Sequence, residues 1–169
     1  ALNQKIENKT NNIIDFYPYA QIVRNVKPEV TNFYILHEGL LGVFNDELEE
    51  KDYDDIEEEK FTVNASSGWL GITDKYWITA VVPEKNKKFK AEFEYRDKYK
   101  ANFIITEAIE SRPNQKISNN IKLFAAAKEV EIIDGYAESE SIDKFDLAID
   151  WGWFYFFTKP LFFIIDYFF

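Results

Sequence analysis

The chain has 169 residues, 18% aromatic and 30% charged, with a formal net charge of −10. That length suits one domain with a sizeable core, and so many aromatic residues exclude disorder and favour β structure. The acidic balance argues against a nucleic-acid partner, which calls for a basic footprint.

In chain order, residues 1–16 read as a polar lead-in, with the first dozen frayed. The stretch "ALNQKIENKTNN" has no apolar core of the kind a signal peptide needs. From Tyr19 onward the chain reads as strands. Phe33 to Leu36 and Leu40 to Phe44 flank a bend at Glu38-Gly39. Asp46 to Lys60 holds ten carboxylates in fifteen residues, with Leu48, Tyr53 and Ile56 as possible anchors, and is expected to be a loop or one short helix. "KFTVNA" resumes as a strand. Phe89, Ala91, Phe93 and Tyr95 alternate with charged residues, as do Tyr99, Ala101, Phe103 and Ile105 with more polar ones, which predicts an antiparallel hairpin. Ile121, Leu123 and Ala125 continue the alternation. Val130, Ile133 and Ala137 have helical spacing and predict one short helix near 128–139. Phe145, Leu147, Ile149 and Trp151 alternate again and predict a final strand. The sum is a mainly β fold, an antiparallel β-sandwich over 17–151.

Few constellations carry chemistry. With no Cys, the chain has no disulfide, thiolate metal site or Cys nucleophile. The single histidine, His37, lacks the partners a catalytic base or a metal site needs. The acidic run has no Gly at its centre, unlike a calcium loop, and reads as a solvated face. No nucleotide-binding, nucleophile-elbow or zinc motif occurs, and no cofactor is expected. Asn8 and Asn64 match the glycosylation sequon, a pattern common by chance. Trp69 and Trp77 lie on two strands around a turn at Thr73-Asp74. They read as core residues or, alternatively, as aromatics of a ligand cleft.

After Trp151-Gly152 the periodicity changes. From Trp153 onward only Thr158, Lys159 and Asp166 are strongly polar, and on a helix they share one stripe. Thr158 is a reasonable N-cap for a helix with Pro160 in its first turn, whereas a helix running through from Trp153 should kink at Pro160. Residues 153–169 would span roughly 25 Å as a helix, marginal for crossing a bilayer. A helix lying in the membrane interface fits better, the alternative being a core helix packed on the sandwich.

Three stretches, "FYILHEGLLGVFN", "GWLGITDKYWITAVVP" and "FDLAIDWGWFYFFTKPLFFIIDY", resemble the large periplasmic domain of YidC-type bacterial membrane protein insertases. The junction "DWGWFYFFTKPLF" is the most specific part, and the resemblance runs from about Tyr17. It implies a periplasmic β-supersandwich, related in shape to galactose-mutarotase-like folds. An amphipathic helix on the periplasmic membrane surface, here 152–169, would follow and lead into a transmembrane core. On this reading the chain, which lacks Met, is a piece of a longer protein, with a first transmembrane helix upstream and the insertase core downstream. The core's polar groove has no counterpart in these residues, so the piece alone should not insert proteins. Sugar chemistry is not implied either, since that chemistry typically uses two histidines and a carboxylate.

The expectation is a non-enzymatic periplasmic domain of the bacterial inner membrane. Its partners would be the membrane, the transmembrane core, secretion translocon components and nascent membrane proteins. Trp151, Trp153, Phe154, Phe157, Leu161, Phe162, Ile165 and Phe168 are expected to contact lipid or that core. Two rivals stand beside it: a carbohydrate-binding sandwich using Trp69 and Trp77, and a structural domain that dimerises through its last helix.

Overall fold

The structure, a computed structural model, describes residues 2–28, 37–152 and 155–168. Its centre is a six-stranded antiparallel sheet built from β1 (Leu2–Glu7), β4 (Gly39–Phe44), β5 (Glu47–Asp52), β7 (Gly68–Thr73), β8 (Trp77–Val82) and β12 (Lys116–Ala127), in the order β1-β12-β8-β7-β4-β5. A four-stranded sheet of β3 (Tyr19–Arg24), β6 (Phe61–Ala65), β9 (Phe89–Tyr95) and β10 (Tyr99–Ile105) has the order β3-β10-β9-β6. Two short strands, β2 (Ile14–Phe16) and β11 (Ile109–Ser111), pair with each other. The hairpin predicted from alternation is β9–β10, in the register Phe93 opposite Ala101 and Ala91 opposite Phe103.

The large sheet is buried on both faces. One face packs on the small sheet: Leu40, Phe44, Leu70 and Ile72 meet Phe89, Phe93 and Phe103, and helix α1 (Tyr53–Glu58) closes this layer with Tyr53 and Ile56. The other face, with Leu41, Val43, Trp69, Ile78 and Ala80, is covered by helix α2 (Val130–Ser139) through Ile133 and by a 3-10 turn, Phe145–Ala148. Strand β4, "GLLGVF", is accordingly buried at every position, as a strand sandwiched between two layers must be. Gly68, at φ +126°, lets β7 start against β4, where a Cβ would lie 1.8 Å from the Val43 carbonyl oxygen.

Several expectations need correction. Residues 2–7 are not frayed; they form edge strand β1, paired with the first half of β12 from Leu2 opposite Ile121 to Glu7 opposite Lys116. An edge strand with little of either face covered needs no apolar alternation, so its sequence is polar. The acidic run is a strand before it is a helix. Its first residues are β5, an edge strand whose charges point to water, and its last turn is α1, with Asp52 and Asp55 in a capping box. The predicted final strand is the 3-10 turn. Lys144, left-handed at φ +52°, turns the chain instead into a tight turn that buries Phe145 and Ala148. The Phe145 ring then meets Trp69 edge-on at 5.2 Å and Phe124 at 4.9 Å. Phe33 to Leu36 lie outside the described residues.

Two consequences are measurable. Trp69 is 0% exposed and Trp77 62% exposed. Trp69→Ala should therefore cost about 4 kcal/mol in urea melts, and Trp77→Ala less than about 0.5 kcal/mol. The Tyr53 hydroxyl is buried without a hydrogen-bond partner, and burial pushes its pKa up to about 12. Its neutral form is thus favoured in the fold, and stability present below pH 10 is lost as pH rises toward the folded pKa. Tyr53→Phe should leave neutral-pH stability within about 1 kcal/mol and move the alkaline unfolding midpoint upward.

Candidate functional site

The helix α3 (Tyr155–Phe168) runs through Pro160 and carries the longest apolar surface of the described residues. Phe157 is 68% exposed and Phe168 77%, and Phe156, Leu161, Phe163, Ile164 and Ile165 are exposed too. Monomeric domains rarely leave so continuous an apolar face uncovered. Among the described residues no helix is long and apolar enough to cross a membrane.

Lys159, from the polar stripe of α3, is turned to the domain. Lys159 Nζ lies 2.9 Å from Asp146 of the 3-10 turn and 3.6 Å from Asp134 of α2, and sits 5.8 Å from the centre of the Trp151 ring. The Thr158 hydroxyl donates to the Trp151 carbonyl oxygen at 2.8 Å, so it ties the helix back to its own lead-in. Phe162 meets the Trp151 ring edge-on at 5.7 Å. A cation largely removed from water between two carboxylates and a ring is a directional latch. It ties the first turns of the helix to α2 and the 3-10 turn, while the apolar side chains beyond it stay exposed.

The lead-in is held just as firmly. Asp150 accepts from the His37 backbone N–H at 3.0 Å and from the Gly152 N–H at 2.8 Å. His37 has its Nδ1 3.2 Å from Asp52 and its Nε2 3.2 Å from the Leu40 carbonyl oxygen. It thus braces the end of the β4–β5 hairpin beneath the start of α3. Nearby, burial lowers the pKa of Lys128, an effect that Asp150, Glu38, Asp74 and Glu50 oppose. The arrangement holds a junction.

Of the residues singled out from the sequence, Phe157, Leu161, Phe162, Ile165 and Phe168 lie on α3, with Phe162 the least exposed of the five. Trp151 is partly buried under Phe162 and Lys159. Trp153 and Phe154 lie outside the described residues. Trp69 and Trp77 share no cleft, since Trp69 is sealed in the core below α2 and Phe145 while Trp77 stands in solvent. Asn8 is a buried turn residue whose amide donates to Asn12 and Ser111 carbonyl oxygens, which leaves it no room for a glycan. Sequence reasoning missed the latch carboxylates Asp134, Asp146 and Asp150. The signal available was Lys159 itself, a lone cation in an apolar run that needs an anion from elsewhere in the fold.

A family model described as the YidC periplasmic domain matches residues 1–164. The chain is 54% identical over 169 residues to a protein of Pelagibacter ubique (strain HTCC1062) named membrane protein insertase YidC, covering 100% of this chain and 30% of that protein. Proteins of the same name are 42% identical over 176 residues in Agrobacterium fabrum and 39% identical over 184 residues in Methylorubrum extorquens (strain PA1), again with 100% of this chain covered, and 29% and 30% of those proteins. The chain thus spans less than a third of the length of these relatives, and it belongs to the YidC periplasmic domain family.

Proposed function

We propose that this domain is the periplasmic part of an inner-membrane protein insertase that assists the insertion and folding of membrane proteins. In this role α3 lies in the bilayer interface, with its apolar side chains at headgroup and upper acyl depth, and braces a transmembrane core. The observation that carries the reading is an apolar helix left uncovered by its own domain and tethered to it by one lysine. Lys159 is held on Asp134 and Asp146, while the phenylalanine, leucine and isoleucine side chains of α3 stay exposed. A helix folded for its own domain's core would bury these side chains. The names of the relatives supply the insertase activity, and the outward apolar face supplies a place for it at a membrane.

The work of the domain is positional, with no bond chemistry. Asp150 and Lys159 hold the helix at a set angle to a rigid sandwich, so that whatever moves the helix also moves the sandwich. Translocon components and nascent membrane proteins belong to the same proposal, as partners met on the side of the sandwich away from lipid.

Flotation with phosphatidylcholine vesicles tests the helix. The native chain should float, and Phe162→Glu should reduce the bound fraction about tenfold, since it trades a buried ring for a charge at the interface. Equal flotation of the two overturns the interfacial placement. Absence of flotation, with a concentration-dependent mass that disappears on truncation after Asp150, would assign the helix to a second copy instead. Lys159→Leu probes the latch. Amide exchange across 155–168 should accelerate while exchange in β7 and β9 stays unchanged.

A further inference from the structure

The two sheets differ in width. Strand β6 lies against β4, β10 against β7, and β3, the last strand of the small sheet, against β7 and β8. Beyond β8 the large sheet runs on for two more strands, β12 and β1. The register tells which side chains face the small-sheet side of this overhang. Val81 and Ile121 belong to the core shared with the small sheet. Leu123 stands opposite Val81, Ala125 opposite Thr79, Ala127 opposite Trp77, and Leu2 opposite Ile121. Paired residues share a face and alternate residues return to it, so Leu2, Leu123, Ala125 and Trp77 all look to that side. Leu2 is 50%, Leu123 46% and Trp77 62% exposed, and Ala125 is exposed too. The opposite face of the same stretch is closed, with Ile78, Ala80 and Phe124 buried under the helical layer. This half of β12 has a covered face and an apolar face without a roof.

The free edge of β3 walls the open side. Among the described residues β3 pairs with β10 alone. Its Tyr19 carbonyl oxygen accepts from the Gln4 side-chain amide of β1 at 3.4 Å, so the unpaired edge faces the overhang. Farther along the same face of β12, a cavity of about 280 Å³ lies between the segment from Phe16 to Tyr19 and Gln4, Ile117 and Asn119, and the Asn119 Oδ1 is buried without a donor. The result is a trough one strand wide, with an apolar floor and a wall of unpaired backbone groups.

We propose that the trough holds a β-strand of the same polypeptide, contributed by the part of the full-length protein outside these 169 residues. The strand pairs with β3 and lays alternate apolar side chains on Leu123, Ala125 and Trp77. Only an extended chain meets both needs, since it supplies ladder hydrogen bonds to the edge and covers the face below. Lipid acyl chains offer β3 no hydrogen bonds. A second folded copy approaching β3 meets the overhang of β12 and β1 first, whereas a single strand fits above it at the ordinary sheet spacing. The chain for it is at hand, because these residues span less than a third of the length of the relatives. The proposal does not depend on where α3 lies, and its failure would leave the interfacial placement of that helix untouched.

The test compares the isolated chain, which has no Cys, with the full-length protein in its membrane, any cysteine elsewhere replaced by serine. Ala125→Cys places one thiol on the floor of the trough, and Lys98→Cys, in the exposed β9–β10 turn, serves as reference. In the isolated chain both should react with a maleimide at similar rates. In the full-length protein the Ala125→Cys thiol should react about a hundredfold more slowly than the reference, since labelling then waits for local opening. Amide exchange in β3 should slow in the same comparison. Equal labelling of the two thiols in the full-length protein overturns the proposal. Protection already present in the isolated chain at every concentration means that these residues cover the trough themselves, and protection that grows with concentration assigns it to a second copy. Protection in the full-length protein only while a stalled nascent chain is bound assigns it to a client. Each of these three results also overturns the proposal.

Discussion

The fold depends on covering both faces of one six-stranded sheet. Its central strands are apolar on both sides, and "GLLGVF" in β4 has no residue that tolerates water. The small sheet shields one face. The other needs α2 and the 3-10 turn, and these have only Ile133, Phe145 and Ala148 as fully buried contributors, with Ile142 close behind. The helical layer is thin and therefore cannot shift without exposing Trp69. Burying a side chain of that size is a large fraction of a domain's net stability.

That thin layer also positions the junction. The chain leaves the 3-10 turn at the sheet face, passes Asp150 and enters α3 within a few residues. Asp146 in the turn and Asp134 in α2 are thus core-adjacent carboxylates, rigid because their helices are pinned by burial. Lys159 meets anions that do not move, which is why one lysine can orient a fourteen-residue helix. The junction is built on packing first and on electrostatics second.

Much of this was legible in the sequence wherever one face of an element was buried and the other wet. The β9–β10 hairpin and α2 are such cases, since their apolar residues recur at the period of the backbone. Strand β1 was illegible because little of either face is covered, and β5 because its charges mimic a solvated loop. Phe145 to Trp151 gave a false strand. Alternation there reflects Phe145, Leu147 and Ile149 packing around a tight turn. The apolar run of α3 was readable as a helix with one polar stripe. The direction of that stripe was not, because Asp134 and Asp146 lie 25 and 13 residues from Lys159 and come near it only through the tertiary fold. Trp69 and Trp77 look alike in sequence and are opposite in fate: Trp69 lies on the sheet face that the helical layer covers, whereas Trp77, at the start of β8 and out of phase with Ile78 and Ala80, does not.

The acidic edge strand has a further consequence. A wide β-sheet displays unpaired backbone groups along its outer strands, and an apolar helix on the same molecule raises the chance that copies meet. Strand β5 lines its edge with Glu47, Glu49, Glu50 and Asp52. Two such edges brought together would set carboxylates against carboxylates, and like charges directly opposed across a ladder are destabilising. The charge that looks excessive for a small domain thus works as a guard against strand addition at this edge.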